Sequence, residues 1–185
     1  LIMTFFLFIL LNSFLFTDSY NMQLLGHLEF DQITSDITGF YQDNREFAVV
    51  GLQSTTAFID ITDPNTIFEL GRIDGGTSQW RDVKYWDRHV YIGTEAYDGV
   101  KVVSVDDPDN PVLVNTITDV DDSHNIYIDE DGYLYVVGAQ EYDILIYDLE
   151  YPSNPVLVGV WDGDYIHDLD IQNNLLYGMS IYSST

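Results

Sequence analysis

The chain repeats itself with a period of 44 residues, and this repeat restricts its possible folds more than any other feature. Three prolines in similar contexts keep this spacing: Pro64, Pro108 and Pro152. Three aromatic residues in apolar runs keep it as well: Phe47, Tyr91 and Tyr135, with Tyr177 following 42 residues later. Self-similarity at a fixed period of this length is typical of repeat architectures, in which each unit packs against its neighbours.

Each repeat contains four short stretches that favour β-strands. In residues 80–119 these are RDVKYW, HVYIGT, GVKVVSV and PVLVNTI, and they are separated by polar, Gly or Pro turns such as Asp87-Arg88. Asp131-Gly132 in the next repeat is typical of a hairpin turn, because both residues tolerate positive φ. No segment beyond the N-terminal apolar run shows a long helical period, so the sequence predicts an all-β chain.

Four strands in each 44 residues predict a β-propeller of four-stranded antiparallel blades. A solenoid would need shorter coils, and a sandwich would not repeat so regularly. The predicted blades are 35–74, 80–119 and 123–162, with an incomplete fourth at 166–185, which gives about three and a half blades within a domain spanning 20–185. Residues 22–30 resemble the last strand of a repeat, since Gly26 aligns with Gly71 and Gly159. We expect this strand to close the last blade of the ring, and the sequence to be the N-terminal part of a longer protein.

The N-terminus predicts export. Residues 5–16 form a short apolar run, which is too short for a membrane span and ends in polar sequence. We interpret 1–19 as a signal peptide cleaved after Ser19, which leaves no transmembrane span. An uncleaved anchor helix is the alternative. The expected location is therefore extracellular or at the cell surface.

The charge of the chain excludes one class of partner. There are 31 acidic residues against 6 Lys and Arg, which gives a net charge of −25. This field repels nucleic acid and anionic surfaces and attracts cations and basic partners.

Several stretches in order resemble a known family: EFAVVGLQSTTAFIDITDP, WRDVKYWDRHVYIGTEAYDGVKVVSV, DSHNIYIDEDGYLYVVG and NPVLVGVWDGDYIHDLDI. They resemble the choice-of-anchor B family of secreted bacterial proteins, which are built from LVIVD-type propeller repeats. The resemblance covers essentially all of 22–183. It implies an extracellular or surface-attached propeller with a C-terminal anchoring segment of variable type, and it implies no enzymatic activity.

A polar pair opens the first predicted strand of every repeat. The pairs are Ser35-Asp36, Arg81-Asp82, His124-Asn125 and His167-Asp168. In a propeller the first strand lines the central channel, so these pairs would surround one rim. In one interpretation the Asx side chains accept backbone N–H groups and fix the turn into the strand, while the histidines bond to the neighbouring blade.

In the other interpretation the rim binds a cation. The candidate ligands are Asp36, Asp82, Asn125, Asp168, His124 and His167. Oxygen ligands favour Ca²⁺, whereas the two imidazoles favour zinc or another transition metal. Near the same rim, Trp80 is a candidate for stacking on a sugar or another flat ligand.

The sequence therefore predicts a binding scaffold, with an extracellular protein or a glycan as its ligand and a divalent cation as a stabiliser. Nucleophilic catalysis has little support, since there is no Cys and no Gly-x-Ser-x-Gly motif. The alternative is a hydrolase or lyase that uses a divalent metal at the channel mouth.

Overall fold

A computed structural model describes residues 22–139 and 143–182, and all regular elements in these ranges are β-strands. The predicted signal peptide at 1–19 lies outside the described residues. The strands are β1 (Thr34–Gln42), β2 (Arg45–Leu52), β3 (Thr55–Asp60), β4 (Phe68–Asp74), β5 (Arg81–Trp86), β6 (His89–Thr94), β7 (Val100–Ser104), β8 (Val112–Ile117), β9 (Asn125–Ile128), β10 (Tyr133–Val137), β11 (Ile144–Asp148), β12 (Val156–Trp161), β13 (Asp168–Gln172) and β14 (Leu175–Met179). No described segment is a helix with the length and apolarity of a membrane span.

The strands form four antiparallel sheets in chain order. Sheet 1 contains β1–β4, sheet 2 contains β5–β8, sheet 3 contains β9–β12, and sheet 4 contains β13 and β14. Within each sheet, every strand pairs with the next strand along the chain. The predicted all-β class and the four-stranded antiparallel unit are therefore confirmed.

Tight turns join the first two strands of three sheets. Two consecutive residues with positive φ form each of these turns: Asp43-Asn44, Asp87-Arg88 and Asn173-Asn174. Positive φ at both central residues matches the right-handed twist of the flanking strands, which favours Asn and Asp at these positions. Sheet 3 uses a longer connection, in which Gly132 has φ 84° and its N–H donates to Asp129 O at 3.2 Å.

The three complete sheets share one irregularity that the sequence did not reveal. In each sheet the fourth strand carries an extra residue opposite the third strand, at Leu70, Val114 and Val158. These β-bulges are 44 residues apart, as are the prolines of the preceding turns. Bulges increase local twist, so the fourth strands β4, β8 and β12 all bend at the same place.

The apolar cores lie between neighbouring sheets. One cluster joins sheets 1 and 2 through residues such as Phe47 and Val83, and another joins sheets 2 and 3 through Tyr91 and Ile126. A smaller cluster joins sheets 3 and 4. Since these clusters lie between sheets, each sheet is stabilised mainly by its neighbours, as expected for a repeat protein. The fourth strand of sheet 3, β12, takes little part in them and is mostly exposed.

The first strands of consecutive sheets lie next to one another. β1 contacts β5, β5 contacts β9, and β9 contacts β13. Residues 22–30 form no strand in the structure. Leu28 and Phe30 nevertheless pack against an apolar cluster of sheet 1 that includes Val50 and Ile59. The prediction that they complete a last blade stays a prediction.

A buried hydroxyl connects sheets 2 and 3. Tyr91 is fully buried, and its hydroxyl donates to Pro152 O at 2.8 Å. We expect Tyr91→Phe to lower the free energy of unfolding by about 1 kcal/mol, because the carbonyl loses its donor in a partly buried position. Urea unfolding of the full chain measures this, with Tyr151→Phe as the exposed control. Equal stability of the two variants would contradict the role of this bond.

Candidate functional site

The polar pairs predicted from the sequence lie where the first strands of the sheets begin. Asp36 is the third residue of β1, Asp82 the second residue of β5, and Asn125 and Asp168 are the first residues of β9 and β13. Since these strands are neighbours, the four Asx side chains follow one another along a single rim. We call this surface the inner rim and define it by these four residues.

Hydrogen bonds connect the inner rim from one sheet to the next. Asp36 Oδ2 accepts the Val83 N–H at 3.1 Å, and Asp82 Oδ2 accepts the Ile126 N–H at 2.8 Å. In both cases the donor is the residue that directly follows the Asx of the next sheet. At the third step Asn125 Nδ2 donates to Asp168 Oδ1 at 3.0 Å. The interpretation that these side chains fix the strand entries therefore agrees with the contacts.

Lys84 occupies the space between the first two carboxylates. Its ammonium group donates to Asp82 Oδ1 and lies 3.3 Å from Asp36 Oδ2. Burial, and then the hydrogen bond with Asp36, raise the pKa of Asp82 to about 7, although Lys84 and the Ile126 N–H act in the opposite direction. Burial by itself would raise the pKa of Asp36. The hydrogen bonds with Asp82 and the Val83 N–H and the charge of Lys84 together hold this pKa below its usual value. Asp82 is therefore the carboxyl group of this pair that takes up a proton more readily.

The residues that precede the Asx positions differ from sheet to sheet. Arg81 is buried, and its guanidinium donates to Leu52 O at 2.9 Å and to Gly76 O at 2.5 Å. It therefore fastens sheet 1 to the start of sheet 2. Ser35 Oγ donates to Arg81 O at 2.9 Å. These two residues are structural links between sheets.

The histidines form an aromatic group with Trp80. The ring centroids of His124 and His167 are 4.0 Å apart with a tilt of 47°, and those of Trp80 and His124 are 5.6 Å apart. His124 Nδ1 is 2.6 Å from Glu95 Oε1, which orients the imidazole. Glu95 belongs to the loop after β6, so His124 bonds to the preceding sheet, as one of the two interpretations predicted.

An open cavity of about 450 Å³ lies beside this group and the inner rim. Its lining includes Trp80, His124, Gln79, Asp36, Asp82 and Asn125. The Trp80 side chain is largely exposed at the edge of the cavity. The cavity thus combines a flat aromatic wall with amide and carboxylate oxygens.

The proposed metal ligands fall into three pairs. His124 and His167 lie together, whereas Asp36 and Asp82 lie around Lys84, and Asn125 bonds to Asp168. Within 22–139 and 143–182, no three His, Asp or Glu side chains are placed so that they could hold a metal ion. A metal at this rim stays a prediction, and it would need a further ligand beside the two imidazoles.

Three residues of the site were missed in the sequence: Lys84, Glu95 and Gln79 of the cavity lining. Lys84 is two residues after Asp82, so strand alternation places both side chains on one face. That spacing was available and could have indicated an ion pair. Glu95 comes from another sheet, and no local pattern connects it to His124.

Comparisons with known proteins identify the fold only. No family model matches the sequence, and no curated protein matches it. Among solved structures, the chain is similar to the one described as the crystal structure of the computationally designed Ika4 protein. The TM-score is 0.62 at 20% identity, over 88% of this chain and 95% of that one. This likeness supports the all-β architecture of antiparallel sheets, and the resemblance to the choice-of-anchor B family remains a prediction.

Proposed function

We propose that the four sheets are consecutive blades of a β-propeller. The contacts between first strands support this arrangement, because the innermost strands of neighbouring blades meet around a central channel. The cores between sheets and the bulges at every 44th residue are also expected if each blade repeats the orientation of the last. Residues 22–30 would then supply the outer strand of the closing blade.

We further propose that the protein is a secreted or cell-surface binding scaffold, and that the inner rim with its cavity is the contact surface. The observation that carries this proposal is the exposed Trp80 ring at the edge of a 450 Å³ cavity. A large exposed aromatic side chain beside polar groups is typical of binding sites. The apolar run in 1–19 and the resemblance to a secreted family support the location.

The paired carboxyl groups favour a structural role over catalysis. Asp36 and Asp82 are both within hydrogen-bonding distance of Lys84 and also bond to the N–H groups of neighbouring strands. Glycoside hydrolysis needs two carboxyl groups about 5 Å or more apart, with space for a sugar or a water between them. Here an ammonium group occupies the space between them, so the pair does not have that arrangement.

The second candidate function is a metal-dependent hydrolase or lyase. One observation favours it: His124 and His167 are in contact, and the Glu95 carboxylate orients His124. A carboxylate that fixes a histidine in this way is common behind metal ligands. This function requires a third ligand and a metal that co-purifies with the protein.

Retention on coated surfaces tests the scaffold. Biolayer interferometry with dextran, cellulose, chitin, casein and gelatin surfaces would compare the full chain with Trp80→Ala. We expect at least one surface to retain the protein and Trp80→Ala to reduce that retention at least tenfold, because the stacking surface is lost. Tyr151→Ala is the control, since Tyr151 is also exposed but lies in the loop after β11.

Each result has a defined meaning. Retention that is unchanged in Trp80→Ala would contradict the inner rim as the contact surface. If no surface retains the protein, and one metal ion per chain co-purifies and is lost in His124→Ala, the enzyme replaces the scaffold as the proposal.

A further inference from the structure

The group of Trp80, His124 and His167 forms an aromatic shelf beside the cavity. Trp80 is 54% exposed, and the His124 ring is tilted by 50° relative to the indole. His124 is held by Glu95 on one side and by the His167 ring on the other. The shelf therefore presents one exposed flat ring, supported by two rings with fixed orientation.

The charged groups around the shelf already have hydrogen-bond or ion-pair partners within the protein. Glu95 contacts His124, and Lys84 contacts both Asp36 and Asp82. A cationic ligand at the cavity would therefore compete with Lys84 for the same carboxylates. An anionic ligand would be repelled by the net charge of −25.

Neutral hydrogen-bonding groups are also present in the cavity wall. Gln79 is exposed, Asn125 is half-buried, and both line the cavity together with the partly exposed Asp36 carboxylate. Amides and carboxylates are suited to hydroxyl ligands, because each offers oxygen acceptors and the amides add N–H donors. An uncharged ligand with one apolar face and several hydroxyl groups fits this combination.

We propose that the aromatic shelf and its cavity bind a neutral sugar ring. The C–H face of a pyranose stacks on Trp80, and its hydroxyl groups bond to Gln79, Asn125 and Asp36. This inference rests on the proposed function, because it takes the inner rim to be the contact surface. It adds the class of ligand: an uncharged glycan, with polyanionic glycans excluded by the field of the protein.

Calorimetric titration with soluble oligosaccharides tests the inference. The probes are cellohexaose, hexa-N-acetylchitohexaose and mannohexaose, with hexagalacturonic acid and hexalysine as charged comparisons, all added to the full chain. We expect at least one neutral hexasaccharide to bind through Trp80, and any binding of the charged oligomers to be independent of Trp80. Trp80→Ala should weaken the affinity at least tenfold, and Trp80→Phe should weaken it less, because a smaller ring retains part of the stacking.

Trp161→Ala is the matched control. Trp161 is 44% exposed but lies at the end of β12, away from the cavity lining. Its replacement should leave the affinity within twofold of the parent. Circular dichroism of each variant shows whether the fold is retained, and Trp80→Phe serves as the test variant if Trp80→Ala does not fold.

The outcomes separate this inference from the proposed function. If no neutral hexasaccharide binds, but casein or gelatin retains the protein through Trp80, the sugar is wrong and the scaffold stands. Tighter binding of hexalysine or hexagalacturonic acid that Trp80→Ala also weakens would overturn the sugar as well, because charge would then determine recognition at the shelf. If neither the oligosaccharides nor the coated surfaces bind, both proposals are wrong.

Discussion

Replacing Arg81 by alanine is expected to lower the free energy of unfolding by about 4 kcal/mol, the largest effect of any single change considered for this chain. Arg81 is only 2% exposed and is among the largest fully buried side chains in the described residues. Its removal leaves a cavity between sheets 1 and 2. It also leaves Leu52 O and Gly76 O without the guanidinium donor that each now has.

A second substitution separates the two contributions. Arg81→Met keeps much of the volume but donates no hydrogen bond, so it should recover roughly half of the loss. Burial already lowers the pKa of Arg81, which means that its charge is partly desolvated in the folded protein. Removing that charge relieves some of this cost, and for this reason the methionine variant should be the milder one.

Chemical denaturation followed by circular dichroism measures both variants. Arg72→Ala is the control, because Arg72 pairs with Asp31 and Glu69 on the surface and such pairs contribute at most about 1 kcal/mol. An effect of Arg81→Ala no larger than that of Arg72→Ala would show that Arg81 does not hold the sheets together.

Replacing Lys84 by methionine is expected to destabilise the protein in a pH-dependent way. The loss of unfolding free energy should be about 2 kcal/mol at pH 8, because the Asp82 side chain, only 10% exposed, loses its cation and must either stay charged without it or take up a proton. At pH 5 the loss should be about 1 kcal/mol, since Asp82 then carries a proton and needs no counterion.

The sign follows from the pKa of Asp82. Burial and then Asp36 raise it to about 7 in the folded protein, above the value of an unfolded aspartate. A carboxyl group with a raised pKa contributes stability that is fully present below the unfolded pKa and is lost as the pH rises through the folded pKa. Lys84 lowers the pKa of Asp82, so its removal should raise that pKa further. The loss of stability with rising pH should then extend to a higher pH and become larger.

Chemical denaturation of Lys84→Met between pH 5 and pH 8 measures its free energy of unfolding. Adding Asp82→Asn to this variant tests whether the charge on Asp82 causes the loss. In the Lys84→Met background, asparagine removes the charge and keeps an oxygen for the Ile126 N–H. The double variant should regain about 1 kcal/mol at pH 8 and little at pH 5. A destabilisation that does not depend on pH would mean that Lys84 acts through packing alone.

Much of the fold was predictable because its determinants are local. The turn at Asp87-Arg88 and the glycine turn at Asp131-Gly132 appear in the structure where the sequence placed them. Turn residues act within four positions of the chain, and the 44-residue period supplied the grouping into sheets. The bulges at Leu70, Val114 and Val158 were not predicted, because bulges depend on how two strands align.

The candidate site was predictable only in part. Recurrence located the Asx positions, since an Asx side chain at the start of each first strand bonds to the neighbouring sheet and therefore recurs in the sequence with the period of the sheets. Recurrence could not locate Glu95. It also could not explain why Arg81 stands where the two later repeats have His124 and His167, because the contacts of Arg81 occur once. Residues unique to one repeat are therefore identified from the three-dimensional contacts and not from the period.

The hydrogen bonds of the inner rim have a direction, and this direction has a consequence for how such a chain evolves. At Asp36 and Asp82, the earlier sheet supplies the acceptor and the later sheet supplies the backbone donor. A carboxylate at the rim that has no later sheet can bond to water at little cost, whereas a sheet that has no earlier sheet lacks the side-chain acceptor for one N–H of its first strand. We therefore expect duplication or deletion of units to be tolerated more easily at the C-terminal side of this row of sheets than at the N-terminal side.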